Sequence, residues 1–215
     1  KEKEQISGFG VDFDGRPWFG YGHKRLANPL AQAEVEVEKP YQDFAWTGAG
    51  QLILSSGKAL GVLEKSKPRE GKEASRGMPF KPLLDLPSED FRLYPDAEDG
   101  LYLLGKNPQG ANDLYWLRWR DKVEVHMLLE TKQEITAVAG DGAQTFAAMG
   151  KVVVRIAGKE VKPLFVHPEG AIRDLAYSKG GLYYATAKEA GFADSTGRLI
   201  KFLEAPNPGL RISRG

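Results

Sequence analysis

The chain of 215 residues contains no cysteine. Disulfides, thiolate zinc sites and cysteine nucleophiles are therefore excluded. The same absence fits a bacterial extracytoplasmic protein without requiring one. Long apolar runs are missing too. None approaches the ~20 residues that span a bilayer as a helix, so membrane insertion is not expected. No signal peptide is seen, and the chain starts at Lys1 rather than Met, which reads as a processed or trimmed start. An excess of one charge is also lacking. Lys and Arg total 30, Asp and Glu 29, for a formal net charge of +1. With no basic field to hold a polyanion, nucleic acid and anionic membrane surfaces are poor partners. No Asn-x-Ser/Thr acceptor for N-glycans occurs.

Glycine, by contrast, is plentiful. The 25 glycines are about 12% of the chain, against an average near ~7%. Together with many β-branched and aromatic residues they predict short strands joined by tight turns. The hydrophobic content of 41% suits one ordinary globular domain or two small ones.

An internal repeat organises the chain. Five times an apolar run meets a polar, Gly-ended turn and then a second apolar run, with turn glycines at Gly15, Gly50, Gly100, Gly142 and Gly181. In each case glycine is expected to supply the positive φ of a hairpin. Further hairpins are predicted after the last three turns, over 114–129, 151–166 and 191–203, so each unit holds four strands. The pair FKPLLD at 80–85 and VKPLFV at 161–166 recurs at one place in its unit. No convincing helix appears; the best candidate, Leu30 to Glu38, ends in the strand-like alternation Val35-Glu36-Val37-Glu38. The polar segment 64–77, EKSKPREGKEASRG, reads as a mobile inserted loop and the segment expected to order on binding.

Four-stranded units of about 40 residues mark a β-propeller. The chain resembles the β-propeller repeat superfamily, most nearly its sensor-type and NHL/YVTN-like blades. The resemblance rests on the turn-Gly-Leu-Tyr pattern at 93–104 and 172–186 and on the KPL pair. It departs from WD-repeat proteins, since no Trp-Asp dipeptide ends a blade, and it lacks the sialidase aspartate box. It implies an all-β propeller of about five four-stranded blades occupying 1–215 as a single domain. The approximate blades are 5–43, 44–90, 91–134, 135–170 and 171–208. Residues 209–215 resemble a first strand, and are expected either to close the ring by pairing with the first blade or to open a further blade.

Candidate chemistry is thin. Gly8-Phe9-Gly10 and Gly20-Tyr21-Gly22 begin a dinucleotide fingerprint that neither completes. Asp12 and Asp14 offer two carboxylates for calcium, but Tyr21 stands where an EF-hand loop needs its final Glu, and a hairpin turn is expected instead. Asp96-Ala97-Glu98-Asp99-Gly100 is a similar case. His23, His126 and His167 have no metal-ligand spacing. No nucleophile elbow is present. The rim acids Asp12, Asp43, Asp90 and Asp174 do not share one register, so a pair of catalytic carboxylates is not indicated. Leu114, Trp116 and Arg118 should face one way in a strand and Tyr115, Leu117 and Trp119 the other, mainly as packing. No catalytic, ligand-binding or metal residue is singled out, and no cofactor is called for. The expected function is a non-enzymatic binding module, periplasmic or otherwise extracytoplasmic, presenting loops to a partner protein or glycan. The alternative is a glycoside hydrolase-like or lyase-like propeller enzyme with a site in the central channel.

Overall fold

The computed structural model describes residues 5–63, 78–87, 91–119 and 122–204. The inserted segment 64–77, Asp90 and the proposed closing strand 209–215 lie outside them. Twenty strands form five four-stranded antiparallel meanders, and the fold is an all-β propeller of five blades. The first sheet holds β1 (Ile6–Val11), β2 (Pro17–Tyr21), β3 (Arg25–Asn28) and β4 (Ala33–Glu36). The second holds β5 (Asp43–Trp46), β6 (Leu52–Ser56), β7 (Ala59–Leu63) and β8 (Phe80–Asp85). The third holds β9 (Arg92–Pro95), β10 (Gly100–Lys106), β11 (Asn112–Trp119) and β12 (Val123–Thr131). The fourth holds β13 (Ala137–Gly140), β14 (Thr145–Met149), β15 (Val152–Ala157) and β16 (Glu160–Val166). The fifth holds β17 (Asp174–Ser178), β18 (Gly181–Ala185), β19 (Glu189–Asp194) and β20 (Leu199–Glu204). The chain groups into two compact units that divide between Leu93 and Tyr94.

One turn chemistry recurs at Asp12–Arg16, Thr47–Gln51, Asn107–Ala111 and Asp194–Arg198. The first residue donates its N–H to the carbonyl of the fifth, and the fourth, a glycine, donates back to the carbonyl of the first. The first residue's side-chain oxygen accepts the fifth residue's N–H at 2.9–3.2 Å. Gly15, Gly50, Gly110 and Gly197 have φ between 76° and 86°, a region where any Cβ is strained. Positive φ also holds at Gly142, but not at Gly100 or Gly181. Those two are the first residues of β10 and β18, and their constraint is space. A Cβ at Gly100 would overlap Asp96 Oδ2, and one at Gly181 would overlap the carbonyl of Ala193. In the last turn Gly180, at φ 106°, takes the left-handed position.

Within the first unit, Leu26, Val37, Tyr41, Phe44, Trp46 and Leu54 form the core between the first and second sheets. Three of the four glycines of the two G-x-G stretches serve that packing, while Gly22 holds a positive φ in the β2–β3 turn. A Cβ at Gly8, Gly10 or Gly20 would approach the Phe44 ring to 2.8–3.0 Å. They are glycine because the ring lies flat on the strands, not because a phosphate must approach. Within the second unit, one cluster centred on Tyr102, Leu114, Val138 and Val154 joins the third and fourth sheets. Another, around Val153, Phe165, Leu175 and Tyr184, joins the fourth and fifth. Burying such side chains contributes roughly 1.5–3 kcal/mol each. In β11, Leu114 and Leu117 are both fully buried on opposite faces, and Trp116 packs with Leu114.

Candidate functional site

The face of the first sheet turned away from Phe44 carries a groove of about 360 Å³. Its geometry follows from the alternation of β2, β3 and β4. Gly20, Leu26 and Val35 pair across the strands on the face toward Phe44, while Tyr21, Arg25, Ala27 and Glu34 are offset from them by one residue and face the other way. Arg25 Nη1 lies 2.7 Å from Glu34 Oε1, and its guanidinium sits 4.6 Å from the Tyr21 ring centroid. The groove ends at the β3–β4 turn, where Asn28 Oδ1 accepts the N–H groups of Leu30 and Ala31 at 3.0 Å. Gln32 holds a positive φ of 51° there. Asn28 is 1% exposed, and its Nδ2 makes no hydrogen bond among the described residues. At the same end of the sheet Phe13 and Leu30 project, 65% and 80% exposed. The groove thus combines an ion pair, two carboxamides and an aromatic edge, a set that can bind a neutral, hydroxyl-rich ligand.

A second cluster lies in the second unit. Glu189 Oε1 accepts His167 Nε2–H at 2.8 Å and the Tyr184 hydroxyl at 3.2 Å, and Lys201 Nζ lies 3.2 Å from Oε2. His167 Nδ1 accepts the N–H groups of Glu169 and Gly170, which places the ring hydrogen on Nε2. Burial alone would raise the Glu189 carboxyl, but the His167, Lys201 and Tyr184 hydrogen bonds outweigh it and hold the group below its ordinary range. Tyr184 is pushed up to about 12 by burial and by Glu189. His167 is 2% exposed and Glu189 8%, so the cluster fastens the β16–β17 connection to the fifth sheet rather than meeting solvent.

The candidate acids are engaged in the backbone. Asp12 Oδ1 accepts from Asp14 and Arg16 N–H while Oδ2 accepts Trp18 Nε1–H at 2.9 Å. Asp96 repeats this with Glu98, Gly100 and Trp116. For Asp12, burial pushes the carboxyl up, yet these bonds hold it below its usual value. Asp43 and Asp174 occupy equivalent positions, whereas Asp12 lies in the β1–β2 turn, so these acids do not all share one register. Asp43 and Asp174 each open the first strand of their sheet, and Oδ1 of each accepts the N–H of the next residue. Alternation alone could not align them, because their preceding loops differ. The three histidines sit apart in kind: His23 bonds the Tyr41 carbonyl, His126 stacks on Trp116, and His167 is buried. No cluster of three metal-ligating side chains occurs among the described residues. The groove was missed because no motif marks it and no hairpin was predicted over 25–36, where Arg25 and Glu34 are diagonal neighbours across the β3–β4 pair.

No protein-family model matches the chain, and no curated protein does. Solved structures do. One is the extracellular domain of a protein assigned to a one-component system in B. thetaiotaomicron, with TM-score 0.61 and 14% identity over 93% of this chain and 29% of that one. Another is a gluconolactonase from Xanthomonas campestris, with TM-score 0.58 and 12% identity over 95% and 78%. A third is virginiamycin B lyase from Staphylococcus aureus, with TM-score 0.62 and 11% identity over 94% and 71%. At these identities the likeness is one of fold: the chain is a β-propeller similar in fold to an extracellular domain and to enzymes alike.

Proposed function

We propose that the chain is a non-enzymatic binding module, extracytoplasmic, whose first sheet receives a glycan. The groove with Arg25, Glu34, Asn28, Gln32 and Tyr21 carries this reading. A guanidinium–carboxylate pair beside carboxamides offers donors and acceptors to vicinal hydroxyls without favouring a net charge. The absence of cysteine and the extracellular likeness support the location. The channel-enzyme reading is weaker because Asp12 and Asp96 already hold three hydrogen bonds each within their own turns and strands. The test is a glycan array followed by titration calorimetry on the strongest hit. Glu34→Ala lowers affinity about tenfold, one lost charge-assisted pair of hydrogen bonds, with the fold unchanged. A hit that Glu34→Ala and Arg25→Ala both leave unaltered contradicts the groove; no hit contradicts the glycan.

A further inference from the structure

The outermost strand of every sheet is an edge, and edges with unpaired N–H and C=O groups invite another chain. Four of the five are blunted. In β8 and β16 the KPL segments place a lysine and a proline, Lys81-Pro82 and Lys162-Pro163, beside a register shift. β20 carries Lys201, paired with Glu189 and Glu204. β4 has only four residues, and Met78 already bonds the Glu36 carbonyl and the Glu38 N–H at its end. β12 also carries a register shift, but it differs in length and composition. It is the longest strand described, nine residues of sequence VEVHMLLET, with neither lysine nor proline.

We propose that β12 is a self-association edge that pairs antiparallel with β12 of a second copy of this chain. The pairing with β11 shifts register after Met127, leaving Val123–Met127 as the regular run. Val125 and Met127 are 43% and 51% exposed. Glu124 and His126 have side chains 44% and 53% exposed and lie 3.9 Å apart on the other face, beside Arg118 and Trp116 across the sheet. A dyad at Val125 makes the run self-complementary. Val123 meets the second copy's Met127, Val125 meets its equivalent, and Glu124 meets the second copy's His126, twice by symmetry. Moving the dyad to Met127 sets Glu124 against Glu130, so charge selects the first register. Five residues a side make a small, weak interface.

Sedimentation velocity over a wide concentration range tests this with the whole chain. The wild type shows a reversible monomer–dimer equilibrium. His126→Glu weakens it about tenfold or more by opposing two carboxylates twice. The double variant Glu124→Lys with His126→Glu restores dimerisation, because each introduced glutamate then faces a lysine. Far-UV circular dichroism confirms that these exposed substitutions leave the fold intact. A chain monomeric at every concentration overturns the proposal, as does a dimer indifferent to His126→Glu, or a double variant that stays as weak as the single one.

Discussion

Glu189→Ala lowers the unfolding free energy of the second unit by about 4 kcal/mol at neutral pH, the cost expected when one member of a buried hydrogen-bonded charge cluster is deleted. Alanine leaves the His167 Nε2–H and the Tyr184 hydroxyl without their shared acceptor, both in surroundings that exclude water. Urea unfolding followed by circular dichroism measures the loss. The pH dependence has a definite sign. The Glu189 carboxyl is depressed below its ordinary 4.5 in the folded chain. Its ionised form therefore contributes stability that is fully present above that ordinary value and is lost as pH falls through the folded value. The gap between wild type and Glu189→Ala narrows on acidification below pH 4.5 and is constant above it. A loss under ~1 kcal/mol at pH 7 would show that Glu189 is a surface residue in effect, with the value of an exposed pair.

Asp96→Ala has the next largest effect, about 3 kcal/mol. One carboxylate closes the β9–β10 turn through the N–H groups of Glu98 and Gly100, at 2.9 and 2.7 Å, and holds Trp116 Nε1–H at 3.0 Å. Its removal leaves three donors without their acceptor in a site where Asp96 is 8% exposed. Asp96→Asn keeps the shape and one carbonyl oxygen, and recovers part of the loss. The fluorescence of Trp116 reports the change locally, since its ring also stacks on His126. Asp194 builds the same kind of turn with Thr196 and Arg198, but in an exposed position. Asp194→Ala is far milder, so the two substitutions separate burial from turn chemistry.

Much of the architecture was legible because it is local. The turns at Gly15, Gly50 and Gly142 are written in consecutive residues: a polar first position and a glycine before the chain reverses. The edge prolines of the KPL pair were legible for the same reason, since proline suits a strand whose N–H has no partner in the sheet. Long-range causes were not. Gly8, Gly10 and Gly20 owe their identity to Phe44, which lies across the packing between two sheets. Gly100 looked like a left-handed turn residue, yet its site is set by the bonded pair Asp96 and Trp116, which together fill the place of a Cβ. His167, in the β16–β17 connection, and Glu189, in β19, are 22 residues apart, and no spacing rule joins them. The groove belongs with these: beyond the strand-like alternation at 35–38, neither its strands nor its turn was predicted, and the face it occupies is the one turned away from Phe44.

The central claim is that the turn carboxylates are structural while recognition falls on the first sheet. A thermal-shift series with EDTA, Ca²⁺ and a panel of sugars tests both halves together. The account predicts that neither EDTA nor Ca²⁺ moves the midpoint. It also predicts that at least one sugar raises it by the mass-action stabilisation of a bound ligand, and that Glu34→Ala abolishes that rise. A rise with Ca²⁺ that Asp12→Asn or Asp96→Asn removes would contradict it, by showing that those carboxylates hold a metal rather than a turn.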